Sequence, residues 1–246
     1  GLVFLSSPFS MEAVDLLERV GMPAWKVGSG EVTNVPFLQR LARTKSPVLL
    51  SSGMASFADL DLAAKTLREA GGDFALFQCT TSYPCPPERI GLNVLSQLRE
   101  RYQVPVGLSD HSATIYAGLA AATLGASLLE VHVVLSRESF GPDVTSSVTT
   151  SELTELVRGV RFIETVLAHP IDKDRASEGM TELKTMFGKS VVAARDLEEG
   201  TTLTDADLAL KKPATGIVAA RYAEVVGRRL TRALRQDEQL LEKDLE

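Results

Sequence analysis

Over its first two thirds the chain alternates short apolar runs with stretches whose apolar residues recur at helical spacing. Residues 3–5 (Val-Phe-Leu) precede 11–20, and 25–27 precede 35–42. Residues 47–50 precede 57–70, where Leu60, Ala63, Ala64 and Leu67 fall on one helix face. The runs at 74–77, 104–108 and 128–134 precede helical stretches at 92–102, 115–124 and 153–167. Each pair predicts a strand and a helix, six β–α units in all. Such alternation builds a parallel sheet covered by helices, either a barrel or a doubly wound sheet.

Polar residues crowd the positions just after these runs: Ser6-Ser7, Gly28-Ser29-Gly30-Glu31, Ser51-Ser52-Gly53, Thr80-Thr81-Ser82-Tyr83 and Ser109-Asp110-His111. In a parallel α/β protein these are the C-terminal strand ends, where ligands bind. No G-x-G-x-x-G or Walker loop occurs, which favours the barrel. A closed barrel needs eight strands, and six would leave two long edges unpaired. The expectation is therefore an α/β protein, a (β/α) TIM-type barrel lacking its first two β–α units.

A charged stretch without strong periodicity follows and reads as a linker over 172–188, separating a barrel domain at 1–171 from a small mixed domain at 189–246. In the latter, strand-like pieces at 191–194 and 208–210 alternate with turn signals at Glu199-Gly200 and Thr215-Gly216.

Composition narrows the function classes. Of 246 residues, 44% are hydrophobic and 24% charged, enough to bury a core. The net charge of −6 gives no basic surface for a phosphate backbone, so nucleic acid is not an expected partner. Cys79 and Cys85 match no zinc spacing and make no disulfide framework, which reads as reduced thiols in a cytoplasmic protein. The first nine residues lack a basic leader, and the uncharged stretch at 115–129 is too short to span a bilayer. No membrane partner is expected.

Of three histidines, His111 follows the run at 104–108, and His132 lies within Leu129-Glu130-Val131-His132-Val133. Strand alternation puts Glu130 and His132 on one face. Neighbouring strands lie about 4.8 Å apart, so two imidazoles near their ends can reach one ion. Equally, each can be a core histidine with satisfied hydrogen bonds. Ser51, Ser52 and Ser109 can be helix caps; converging with Lys26 they would suit a phosphate or carboxylate. Glu31 and Asp143 can bond a polyol or move a proton, and Tyr83 can pack or line a pocket. His169 reads as a surface residue.

These motifs, with Ser6-Ser7-Pro8-Phe9, Lys26-Val27-Gly28-Ser29-Gly30-Glu31, Glu130-Val131-His132 and Gly141-Pro142-Asp143, resemble in order and spacing the N-acetylneuraminate (sialic acid) synthase family. That family includes relatives that make legionaminic and pseudaminic acids. Residues 190–216 resemble its antifreeze-like (SAF) domain. The resemblance implies a metal-dependent condensation of phosphoenolpyruvate with an N-acetylated amino sugar such as N-acetylmannosamine. His111 and His132 would hold the ion, Mn²⁺ or a similar one, acting on the sugar aldehyde and orienting water. Ser7, Lys26, Ser29, Ser51 and Ser109 match phosphoenolpyruvate positions, while Glu31, Tyr83 and Asp143 match the sugar site. Lys212 stands where an arginine of the SAF domain usually reaches the partner subunit's sugar, in a homodimer whose small domain closes over the neighbouring barrel. The family's first strands supply further phosphoenolpyruvate contacts without counterpart here, so the isolated chain is expected to be impaired. Two alternatives are another ulosonic acid synthase that condenses phosphoenolpyruvate, and a non-catalytic binding or dimerisation fragment.

Overall fold

A computed structural model describes residues 2–246, which divide into two compact units, one ending at His169 and one running from Pro170 to Glu246. The first unit contains α1 (Met11–Val20), β1 (Trp25–Val27), α2 (Val35–Arg43), β2 (Val48–Ser51), α3 (Phe57–Glu69) and β3 (Phe74–Cys79). It continues with α4 (Val94–Tyr102), β4 (Val106–Asp110), α5 (Tyr116–Thr123), β5 (Leu128–Val134), β6 (Ser147–Thr149) and α6 (Thr150–Ala168). The second holds α7 (Lys173–Glu178), α8 (Thr181–Phe187), β7 (Ser190–Ala193), β8 (Leu208–Lys211) and α9 (Tyr222–Val225).

The helices start where local chemistry satisfies their free N–H groups. Ser10 accepts from Ala13 N ahead of α1, and capping boxes of Ser56 with Asp59 and Thr149 with Glu152 open α3 and α6. Strands β1 to β6 form one parallel sheet in sequential order. Its core consists of apolar residues such as Trp25, Leu50, Leu67, Leu76, Leu98 and Leu108, all nearly or wholly buried. Strand pairing is tight at Gly107, where a Cβ would stand 2.5 Å from the Leu128 carbonyl oxygen and 2.8 Å from Phe77 Cδ1. A side chain there would force β3, β4 and β5 apart.

Two strand expectations are corrected. Residues 3–5 are not a strand: Val3 and Phe4 are 71% and 63% exposed and pair with nothing in the sheet. An apolar run becomes a strand only if a neighbour meets its hydrogen-bonding groups. Conversely, Ser147–Thr149, unremarked in the sequence, is β6 and pairs with His132–Val134. Three residues, two of them hydroxylated, carry no readable alternation.

In the second unit, β7 and β8 pair antiparallel, and Val191, Leu197, Leu203, Leu208, Ile217, Leu230 and Leu240 pack together. The expected turn at Glu199-Gly200 is present, with Gly200 at φ +80°, a conformation that favours glycine. The stretch expected to be a linker carries the short helices α7 and α8. Asp172 caps α7 by accepting from Asp174 N and Arg175 N, which supplies local order that apolar periodicity does not reveal.

Candidate functional site

The C-terminal ends of β1 to β5 bring most of the candidate residues into two adjoining clusters. The first is built on Lys26, from the middle of β1. Its ammonium donates to Ser51 Oγ at 2.6 Å, lies 3.3 Å from the Val27 carbonyl and is 3.5 Å from Glu130 Oε2. Ser109 donates to Glu130 Oε1 at 3.0 Å, because Ser109 and Glu130 face each other in the β4–β5 register. Ser7 lines a cavity of ≈ 500 Å³ together with Lys26, Phe77 and Glu130. Ser29 accepts from Gly53 N at 3.0 Å and lies 3.9 Å from Cys79 Sγ. Gly53 is held so closely that a Cβ would meet Ser29 Oγ and Thr81 Oγ1 at 2.6 Å. Burial pushes the Cys79 thiol up, against the opposing effect of the Ser29 hydroxyl, so it stays neutral.

The second cluster is aromatic. The rings of His111 and His132 lie 5.2 Å apart, and Tyr83 sits 4.2 Å from His111 and 5.8 Å from His132. His111 Nδ1 is 3.0 Å from the Thr80 carbonyl. A carbonyl only accepts, so Nδ1 carries the hydrogen and Nε2 presents a lone pair. Burial lowers the pKa of His111 against the opposing pull of the Thr80 carbonyl, favouring the neutral ring. Asp143 Oδ2 lies 3.9 Å from His132 Nδ1. Among the described residues no group of three or more His, Cys, Asp or Glu converges as a metal cage. The nitrogen donors brought together here are two imidazoles, of which His111 presents a free Nε2.

Two candidates stand apart from these contacts. Glu31, half-buried after β1, accepts from Asn34 Nδ2 at 2.7 Å. Lys212 lies in the second unit, where its ammonium is 5.1 Å from the Phe187 ring centroid. His169 is exposed at the end of α6, as expected. Glu130 was legible only as the strand-mate of His132; its bridge between Lys26 and Ser109 depends on strand register. Cys79 was read only as a reduced thiol and Gly53 only as part of a strand-end cluster; their packing against Ser29 needs the tertiary structure. A larger hollow of ≈ 630 Å³ lies near the opposite strand ends, among Pro47, Phe74, Tyr102 and Pro105, but brings no such set of reactive groups together.

Comparison with known proteins decides the lineage of this arrangement. The model of the NeuB family matches residues 1–172, and that of the SAF domain matches 188–246. The chain belongs to the NeuB family. The N,N'-diacetyllegionaminic acid synthase of Campylobacter jejuni is 35% identical over 244 residues, which cover 98% of this chain and 72% of that protein. The human N-acetylneuraminate-9-phosphate synthase is 33% identical over 246 residues, covering 99% and 68%. The solved N-acetylneuraminic acid synthetase of Leptospira borgpetersenii, in complex with citrate, superposes with a TM-score of 0.67 at 28% identity, over 72% of this chain and 63% of that one. These relatives of the NeuB chain are enzymes. No helix among its described residues is long and apolar enough to cross a membrane.

Proposed function

We propose that this NeuB-family chain is a nonulosonic acid synthase, condensing phosphoenolpyruvate with an unphosphorylated N-acetylated amino sugar and releasing phosphate. The observation that carries the reading is the adjacency of an anion-binding cluster, Lys26 with Ser51 and Ser109, to two imidazoles of which one has a free Nε2. In this reading Lys26, Ser51, Ser29 and Ser7 hold the phosphate and carboxylate of phosphoenolpyruvate. Tyr83, Asp143 and Glu31 line the sugar site, and a homodimer brings Lys212 of a second copy to it.

His111 and His132 would hold a divalent ion, Mn²⁺ fitting the donors. When bound, that ion supplies Lewis acidity toward the aldehyde oxygen. The chain's own residues fix the reactants so that C3 of the enol meets the aldehyde carbon. Water adds at C2 and loses a proton, the new alkoxide gains one, and the C2–O bond to phosphate breaks as the C2 hydroxyl gives its proton to the leaving phosphate and becomes the ketone. Positioning and fixed charge supply the catalysis, with no covalent enzyme intermediate.

The test is phosphoenolpyruvate binding by equilibrium dialysis with Mn²⁺, followed by phosphate release with N-acetylmannosamine or its phosphorylated form. Binding that disappears in Lys26→Met, with faster release from the unphosphorylated sugar, is the expected result. Absence of binding to the wild-type chain overturns the reading. Preference for the phosphorylated sugar overturns the choice of acceptor and points instead to a phosphorylated product, as in the name of the human relative.

A further inference from the structure

We infer that the Glu130 carboxylate is an internal counter-anion, which a phosphate- or carboxylate-bearing ligand must displace from Lys26 and Ser109 to occupy this site. The inference deepens the proposed function and rests on it only for the identity of the anion.

The donors that should greet an anion are already committed. An ammonium has three N–H bonds, and those of Lys26 face Ser51 Oγ, the Val27 carbonyl and Glu130 Oε2 at 2.6, 3.3 and 3.5 Å. Ser109 has one O–H, and it is spent on Glu130 Oε1 at 3.0 Å. What Ser109 then shows to the cavity is lone pairs, which repel an anionic oxygen. Lys26 and Glu130 share the wall of the ≈ 500 Å³ cavity, and their opposite charges cancel there. An incoming phosphate meets a neutral pair whose negative half occupies the position it needs.

Exposure says which partner gives way. The Lys26 side chain is 15% exposed and anchored on Ser51, whereas that of Glu130 is 39% exposed. The carboxylate can turn to water at small cost, and the ammonium cannot. Once Glu130 turns, Lys26 regains a free N–H and a net positive charge, and Ser109 can redirect its hydroxyl to the ligand. Until then Glu130 keeps a partly buried lysine paired. The same exchange sets a threshold for entry: a ligand has to bind Lys26 more strongly than a carboxylate already in place.

The experiment uses the full chain without metal, with inorganic phosphate and phosphoenolpyruvate as probes in equilibrium dialysis. Glu130→Gln and Glu130→Ala remove the competing charge and should each bind both probes about tenfold more tightly than wild type. Adding Lys26→Met to either variant should abolish that gain. Misfolding lowers affinity, so a gain in affinity is free of that ambiguity; thermal unfolding of each variant confirms it. Unchanged or weaker binding in both Glu130 variants, with measurable wild-type binding, overturns the inference and leaves the synthase reading standing. If wild type and variants alike bind neither probe, the inference falls, and the synthase reading stands or falls on the dialysis with Mn²⁺.

Discussion

The two units treat their buried polar groups in opposite ways. In the second unit, buried carboxylates are consumed by structure. Asp244, 1% exposed, accepts from Arg232 Nε at 2.7 Å and from Leu241 N at 3.0 Å. Asp207 accepts from Arg195, Thr204 Oγ1 and Thr204 N. Both acids are held below the usual carboxylate range: for Asp207 Thr204 does most, and for Asp244 burial pushes up most strongly but is overcome by Arg232 and the Leu241 N–H together. In the first unit, His111 spends one ring nitrogen on Thr80 and keeps the other, and Lys26 and Ser109 are tied to a carboxylate that can leave. Closed networks make a scaffold; groups with a valence to spare make a site.

The largest effect should come from the open side. His111→Ala or His132→Ala should weaken Mn²⁺ binding by more than about a hundredfold, the loss expected when a mere supporting partner of a ligand is removed. Titration followed by electron paramagnetic resonance reads this directly, and wild-type affinity in both variants would erase the contrast between the units.

Core truncation comes next and should separate the units thermodynamically. Leu50→Ala and Leu230→Ala each empty a wholly or almost wholly buried position and should cost about 3 kcal/mol. In urea unfolding, Leu50→Ala should move the transition of the first unit, and Leu230→Ala that of the second. A common shift of one transition would show that the two cores unfold as a single cooperative block.

Arg232→Ala strands the buried Asp244 carboxylate. Because the Arg232 side chain is itself 41% exposed, the drop in the urea midpoint of the second unit should be smaller than that caused by Leu230→Ala. An unchanged midpoint would mean that the Leu241 N–H alone satisfies Asp244.

Acid should give the smallest contrast. Arg101 and then Tyr102 hold Asp61 at about 2, below its ordinary 3.8. Arg137, followed by the Thr149 N–H, holds Glu152 at about 2, below 4.5. Their folded pKa values are depressed, so their stabilisation is complete above the ordinary values and fades as pH falls toward about 2. Urea midpoints of the first unit should drop between pH 5 and pH 3, and Asp61→Asn should flatten that slope without touching the second unit. An unaltered slope in Asp61→Asn would remove this pair from the account.

Much of the first unit could be read from the chain. The apolar runs at 25–27, 47–50, 74–77, 104–108 and 128–134 announced strands that form, and the periodic stretch at 57–70 announced α3. The strand-end position of the site was legible too, since ligand-binding groups gather at C-terminal strand ends in parallel folds. The exposed run at 3–5 and the hidden strand Ser147–Thr149 were not, because strand formation depends on the neighbour as much as on the segment. The helices at 173–178 and 181–187 escaped for a related reason: caps and turns make them, and no buried stripe marks them.

The amino-acid order by itself set the alternation of strands and helices, the caps, and the crowding of hydroxyls, histidines and one lysine at strand ends, because these follow from local periodicity and backbone chemistry. Only the tertiary structure decided that Glu130 meets Lys26 from a distant strand, that Thr80 fixes the hydrogen of His111, and that Tyr83 lies against both imidazoles. Those contacts rest on strand register, where a slip of one residue turns every side chain to the other face.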